Sequence, residues 1–189
     1  MIGSPVDPEE SECELRLRSG DPEAVRLIMK RFQRPLLSFL CNMTGDYASA
    51  EDLLQEVLVR VWRHRERYQA QERFSGWLFT IARRLALDHL EKAGRRRTIP
   101  LEEEGLEERV PEPDAVPDRA LEGADLRRRI EEAIAALPEE QREVFLLREY
   151  GGLQFSEIAR MTGAPLGTAL ARMRYAVLRL RKVLGDAYA

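Results

Sequence analysis

Apolar residues recur at helical spacing along most of this chain, and one segment shows the pattern most clearly. Within residues 50–63, polar side chains alternate with apolar pairs that repeat every four residues: Leu53/Leu54, Val57/Leu58 and Val61/Trp62. This spacing predicts an amphipathic helix with one buried stripe. Ser49 is the expected N-cap of this helix, because serine side chains commonly accept a first-turn backbone N–H.

Further helices are predicted on both sides of that segment. Residues 21–23 read Asp-Pro-Glu, the cap acid and first-turn proline typical of a helix start. Downstream, residues 67–73 form a polar loop, and an apolar stripe at helical spacing runs through residues 74–90. Phe74 and Trp77 fall on this stripe, so we expect both in a hydrophobic core. The absence of strand-like alternation favours an all-α fold.

The composition changes abruptly after residue 97. Residues 98–125 contain four prolines and ten acidic side chains, a combination typical of a linker and not of a packed domain. Helical periodicity resumes beyond it. We therefore predict an all-α chain with two small helical bundles, residues 21–97 and 126–189, joined by this acidic linker. Residues 1–20 are predicted to form a loose arm that ends in a short helix.

The C-terminal bundle carries the pattern of a helix-turn-helix. Residues 155–162 form a short amphipathic segment, Gly163 permits a tight turn, and an arginine-rich helix follows with Thr168 as its expected cap. The second helix of such a motif can enter the major groove of DNA. The same residues are also compatible with an ordinary pair of helices whose basic face is solvated.

Charge is distributed unevenly, although the whole chain carries a net charge of only −3. Residues 72–97 carry seven basic and three acidic side chains, and residues 164–184 carry five basic and none acidic. Between them, residues 101–125 carry two basic and ten acidic side chains. Two cationic segments next to predicted helices are the expected footprint of phosphate binding.

Several classes of protein are disfavoured by the sequence. Cys13 and Cys41 cannot build a disulfide framework, and His64 and His89 are too few for a metal-ligand cluster. We expect no cofactor and no metal. The chain also shows no membrane-length apolar run, and its acidic N-terminus does not look like a secretory signal. A cytoplasmic setting is expected.

Four motifs, in order, resemble a known family. These are AEDLLQEV at residues 50–57, FSGWLFTIARRLALDHL at 74–90, LPEEQREVF at 137–145 and FSEIARMTGAPLGTALAR at 155–172. The first two are similar to the second conserved region of bacterial RNA polymerase sigma factors of the extracytoplasmic-function (ECF) group. The last two are similar to the fourth region of the same group.

The resemblance implies a sigma factor that binds core RNA polymerase and directs promoter recognition, promoter melting and transcription initiation. Its partners would be core polymerase, promoter DNA and an anti-sigma factor. It would have no small-molecule substrate, would not insert into a membrane and would not be an enzyme, because the polymerase performs the phosphodiester chemistry.

The resemblance also implies three sets of site residues. The polymerase-binding set is Asp52, Gln55, Glu56 and Arg60. The set for the melted −10 element is Tyr68, Arg73, Phe79, Arg83 and Arg84. The set for the −35 duplex is Pro165, Thr168, Ala171, Arg172, Arg174 and Tyr175. The chain departs from the family pattern at Arg84 (usually Asn), Leu170 (Lys), Ala171 (Ser) and Tyr175 (often Arg).

Two other functions remain to be distinguished from this one. A DNA-binding regulator with an N-terminal helical sensor would share the helix-turn-helix, but it would not account for the motif at residues 50–63. An enzyme is disfavoured, because the sequence shows no glycine-rich phosphate loop, nucleophile elbow or diagnostic acid–base pair. Copurification with core polymerase and run-off transcription separate the first alternative from a sigma factor.

Overall fold

The computed structural model describes residues 8–68, 73–97 and 120–185, and this part of the chain is helical without a β-strand. A 3-10 turn, Arg65–Arg67, lies between the third and fourth helices. The α-helices of the described ranges are α1 (Pro8–Arg18), α2 (Glu23–Thr44), α3 (Tyr47–Arg63), α4 (Phe74–Arg97), α5 (Ala120–Ala135), α6 (Glu139–Glu149), α7 (Phe155–Thr162) and α8 (Leu166–Gly185).

Helix α2 begins and ends where its local sequence dictates. The Asp21 carboxylate accepts the backbone N–H of Glu23 at 2.9 Å, which satisfies a first-turn donor. Pro35 lies inside the helix without ending it. The helix stops before Gly45, whose φ of 74° places it in the left-handed region that favours glycine at a C-cap.

Two predicted helix caps are wrong. Helix α3 begins three residues earlier than expected. Its N-cap is Asp46, whose backbone is extended and whose carboxylate accepts the Ser49 N–H at 2.7 Å. Helix α8 begins at Leu166, so Thr168 lies in its first turn, where its N–H donates to the Pro165 carbonyl at 2.9 Å. In each case the helix begins one position or more before the residue predicted to cap it.

The first helix is longer than the short helix predicted at the end of the arm of residues 1–20. Helix α1 packs against α2 and α4, and it buries Cys13 and Leu17. The Glu10 carboxylate, 7% exposed, accepts the Ser75 N–H at 2.6 Å and so caps the N-terminus of α4. Residues 8–18 are therefore part of the first bundle, whereas residues 1–7 lie outside the described residues.

The segment predicted as a linker is partly helical. Helix α4 continues to Arg97, past the end expected near Gly94, and α5 begins at Ala120. Residues 98–119, which make up most of the predicted linker, lie outside the described residues.

Helices from both halves of the chain share one hydrophobic core. Helices α1–α4 pack together, α5–α8 pack together, and α2 contacts both α5 and α6. At the junction the backbone of Gly151 closely approaches Phe79: a Cβ atom at Gly151 would lie 3.3 Å from the Phe79 ring. A larger residue at position 151 would force the local backbone to shift, because that Cβ would also lie 2.6 Å from the Leu147 carbonyl oxygen.

Both cysteines are reduced, and they pack as core residues. Cys13 is buried and Cys41 is half-buried. Burial raises the pKa of the Cys13 thiol to about 11 and also raises the pKa of Cys41. Thiols with raised pKa values carry little nucleophilic thiolate near neutral pH, which agrees with a packing role.

Candidate nucleic-acid and partner interfaces

Helix α3 presents a polar face opposite its buried stripe. Leu54, Val57 and Val61 are buried, as the spacing predicted. Successive residues of a helix are about 100° apart around its axis, so the four residues predicted to bind polymerase span a sector of about 140°. This sector lies opposite the buried stripe. Its members are exposed or half-exposed: Asp52, Gln55, Glu56 and Arg60.

One ion pair organises this face. Arg60 Nε lies 2.8 Å from Glu56 Oε1, one turn earlier on the same helix. Asp52 and Gln55 remain exposed beside the pair. The face therefore offers a net negative charge and an amide, which suits a basic partner surface.

The two aromatic residues predicted to stack on −10 bases are buried. Phe79 is fully buried, with its ring centroid 5.4 Å from that of Phe39. Tyr68 is 6% exposed, with ring centroids 5.5 Å from Phe74 and 5.1 Å from Trp77. Burial also raises the pKa of the Tyr68 hydroxyl. In this conformation neither ring is accessible to a base.

Arg83 bridges the two halves of the chain. Its Nε lies 2.6 Å from Glu143 Oε1 on α6, and both side chains are largely buried, with 21% and 10% exposure. Such a pair is charge-assisted and partly shielded from water. Arg83 is therefore committed to an internal contact in this conformation.

Arg73 makes a second bridge at the same junction. Its Nη1 donates to the Gly152 carbonyl oxygen at 3.0 Å and lies 3.9 Å from a Glu157 carboxylate oxygen. Its Nη2 lies 3.7 Å from the Glu10 carboxylate. Of the three arginines predicted to bind the −10 element, Arg84 alone is exposed.

The C-terminal helices form the predicted helix-turn-helix. Helix α7 ends at Thr162, Gly163 follows with a φ of 69°, and α8 begins three residues later. The Gln154 N–H donates to Glu157 Oε2 at 2.7 Å, and this capping box fixes the start of α7. Pro165, at the start of α8, is exposed as expected.

The predicted −35 residues do not all leave α8 on the same side. At about 100° per residue, four of them share a sector of about 100°: Thr168, Ala171, Arg172 and Tyr175. Arg174 leaves the helix about 110° from the middle of that sector, although it is exposed. Arg174 therefore lies outside the sector that the other four residues share.

Several acidic residues at these sites were not anticipated from the sequence. Glu10, Glu140 and Glu143 each pair with an arginine of the predicted DNA-binding sets. Their partners are far away along the chain or on another helix, so no local spacing in the sequence predicts these ion pairs. Within the described residues, no group of three or more His, Cys, Asp or Glu residues could hold a metal ion.

No helix in the described part of the chain is long and apolar enough to cross a membrane.

Comparison with known proteins identifies two regions of one family. The model named Sigma-70 region 2 matches residues 28–96, and the model named Sigma-70, region 4 matches residues 127–180. The chain is 31% identical over 188 residues to the ECF RNA polymerase sigma factor SigK of Mycobacterium tuberculosis, covering 97% of this chain and 98% of that protein. It is 27% identical to the RNA polymerase sigma-H factor of Pseudomonas aeruginosa, covering 91% and 90% of the two chains.

Two solved structures share the fold. The sigma factor RpoE of Bartonella quintana, in complex with the anti-sigma factor NepR, has a TM-score of 0.66 at 22% identity and covers 86% of this chain and 98% of its own. CnrH, in complex with the cytosolic domain of CnrY, also has a TM-score of 0.66, at 20% identity, with coverage of 96% and 99%. These likenesses confirm the all-α architecture, and the full-length similarity to SigK shows that this chain belongs to the ECF sigma factors, which bind RNA polymerase and direct promoter-specific initiation of transcription.

Proposed function

We propose that the polar face of α3 binds core RNA polymerase, that α4 and its flanking arginines bind the −10 element, and that α8 reads the −35 duplex. The sector of α8 that holds Thr168, Ala171, Arg172 and Tyr175 is the observation that carries this assignment. It combines hydrogen-bonding, apolar and cationic groups on one side of a helix that follows a tight turn, the arrangement suited to major-groove reading.

The domain division follows the same lines. We propose a region 2-like domain that begins with α1 and ends with α4, and a region 4-like domain that comprises α5–α8. Residues 98–119 would connect them. This division differs from the sequence-based boundaries at the start of each domain, because α1 packs on the first bundle and α5 begins at Ala120.

The protein acts in this proposal as a non-catalytic cytoplasmic subunit. The polymerase supplies the phosphodiester chemistry, and the chain supplies recognition. An anti-sigma factor is proposed as a further partner. The two structural neighbours support this, since RpoE was solved with an anti-sigma factor and CnrH with the cytosolic domain of CnrY.

Binding a promoter requires the observed junction to open. Arg73 and Arg83 are cationic groups of the −10 set, and both are engaged with the second bundle or with Glu10. Moreover, the −10 and −35 elements are separate stretches of DNA, so the two bundles must part to reach both. The observed conformation is therefore proposed to be the one that is not bound to DNA.

Run-off transcription tests the proposal directly. The purified full-length chain, added to sigma-free core polymerase, is expected to produce discrete transcripts from a library of promoter fragments. A DNA-binding regulator would instead bind duplex DNA without copurifying with core enzyme or conferring initiation. Failure to confer any specific start site, with folded protein in excess over core, would reject the proposal.

Replacing Arg172 with alanine is expected to weaken promoter binding by about 1–3 kcal/mol and to relax the base preference at one position, because an arginine contact to a base edge is sequence-specific.

Arg174→Ala is expected to weaken binding to all sequences alike and to lower the slope of log K against log salt by about 1. Titrating promoter DNA with holoenzyme at several salt concentrations measures both effects. Unchanged affinity in both variants would contradict the assignment of α8.

Reversing the charge of Asp52 tests the polymerase-binding face. Asp52→Lys is expected to reduce the affinity for core polymerase by roughly tenfold or more, because the new lysine would be repelled by a basic partner surface. Glu51→Lys is the matched control: it makes the same charge change on the same helix, at the margin of the proposed face and not within it. Competition for core enzyme against a labelled wild-type chain gives both values. An equal loss of affinity in the two variants would show that the net charge of the chain decides polymerase binding and that the position of Asp52 on the polar face of α3 does not.

A further inference from the structure

We propose that Glu140 is a positioning residue for DNA reading: it holds the Arg172 guanidinium in the orientation in which Arg172 contacts a base of the −35 element. The inference rests on the proposed role of α8. It adds a residue outside the helix-turn-helix that would sharpen the choice of promoter sequence.

The geometry that carries this inference is a contact between two helices. Glu140 Oε2, in the first turn of α6, lies 2.6 Å from Arg172 Nη2, in the second turn of α8. The Arg172 side chain is 20% exposed, whereas that of Glu140 is 71% exposed. The Glu140 carboxylate thus lies on the solvent-facing side of a partly buried arginine. It is next to the sector of α8 that is proposed to face DNA.

The contact leaves Arg172 able to bind a base. A guanidinium has five N–H donors in one plane, and the pair with Glu140 uses one edge through Nη2. The remaining N–H donors are then held in a plane set by Glu140; they belong to Nε, Nη1 and the second N–H of Nη2. An unpaired arginine samples many rotamers, so fixing one plane in advance lowers the entropy lost when a base is bound.

The position of Glu140 makes it a stable anchor. It lies in the first turn of α6, where the positive end of the helix dipole favours a carboxylate. Glu139 lies beside it in the same turn and is also exposed. The two residues therefore share the favourable helix terminus, and Glu140 alone of the two pairs with Arg172.

The pair is better explained by specificity than by stability. Ion pairs with an exposed partner contribute little to folding, and an acidic group near DNA repels phosphates. Glu140 thus opposes non-specific binding. A pose in which Arg172 swings out to a phosphate breaks the pair, at the small cost of losing an ion pair with an exposed partner. Base contact keeps both interactions.

The test uses full-length protein reconstituted with core polymerase and a promoter library randomised across the −35 element. Transcripts from wild type, Arg172→Ala, Glu140→Gln and Glu139→Gln report the preference at each base position. Glu140→Gln is expected to reduce the preference at the position lost in Arg172→Ala by about threefold or more, and to raise affinity for scrambled duplex. Glu139→Gln is expected to keep the wild-type preference, and the double variant Glu140→Gln/Arg172→Ala to match Arg172→Ala.

The outcomes separate this inference from the proposed function. If wild type fails to initiate or shows no −35 preference, the proposed function fails. If wild type selects a sequence but Glu140→Gln selects it equally well, Glu140 has no positioning role. Equal flattening by Glu139→Gln would indicate a general effect of charge at the start of α6 and would also overturn the inference. Thermal unfolding of each variant verifies that it is folded, since a purely structural role changes stability without changing base preference.

Discussion

Replacing Phe79 with alanine is expected to lower the free energy of unfolding by about 3–5 kcal/mol, the usual cost of emptying a buried aromatic site. Phe79 is fully buried, contacts Phe39 edge to face and lies against Gly151. Its loss would therefore leave a cavity in the first bundle and weaken the junction with the second. Denaturant titration monitored by circular dichroism measures the change.

Phe79→Leu separates a packing role from a base-stacking role. Leucine keeps most of the apolar side chain at this site and is therefore expected to cost less stability than alanine, but it removes the aromatic face needed to stack on a base. We expect the holoenzyme with Phe79→Leu to melt promoters like wild type. If this variant is stable yet fails in permanganate footprinting of the melted strand, Phe79 does stack on DNA in the open conformation.

Replacing Glu143 with alanine is expected to open the junction between the two bundles. Removing one partner of a buried ion pair leaves the other charge unpaired, at a cost of about 3–5 kcal/mol when burial is complete. The cost here is smaller, about 1–3 kcal/mol, because Arg83 retains 21% exposure. A shift of that size raises the ratio of open to closed form by a factor of about 5 to 150. Small-angle scattering should record a larger radius of gyration.

The matched control for Glu143→Ala is Glu149→Ala. Glu149 lies on the same helix and is exposed, and replacing it should leave the dimensions of the chain unchanged. Glu143→Ala should also increase the affinity of the free factor for single-stranded −10 DNA, because Arg83 is released. A wild-type radius of gyration together with wild-type DNA affinity would show that the Arg83–Glu143 pair does not hold the junction closed.

Much of the fold could be predicted because local patterns determine it. The repeat of apolar pairs in residues 50–63 identifies α3 and its buried face, and Gly163 identifies the turn before α8. Both signals act over a few residues, so the sequence displays them directly. Burial of Phe74, and partial burial of Trp77, followed from the same kind of spacing.

The errors arise where distant residues decide the outcome. Phe79 looked like an aromatic residue available to DNA, but its cover comes from Phe39 on another helix and from Gly151 in the other bundle. Tyr68 lies next to a polar loop, yet it packs into an aromatic cluster with Phe74 and Trp77. Periodicity along one segment cannot reveal which neighbour will complete the burial of a ring.

For the candidate site, the sequence shows which residues are basic but not which of them are paired with acids. The basic residues of α4 and α8 are where the cationic segments placed them, and Arg84 and Arg174 are exposed. No local pattern predicts that Arg73, Arg83 and Arg172 are each paired with an acid from a distant part of the chain or another helix. Such pairings depend on tertiary packing, because the partners share no helical spacing.

The cover over Phe79 has a consequence for the order of events during synthesis. The ribosome releases the N-terminal half first, and domains generally begin to fold as they emerge. Until Gly151 and the helix before it have been translated, nothing from the second half can close over that ring or pair with Arg83. The nascent first bundle therefore has an interval in which this surface is open to binding partners, and the interval ends once the second bundle has emerged and folded.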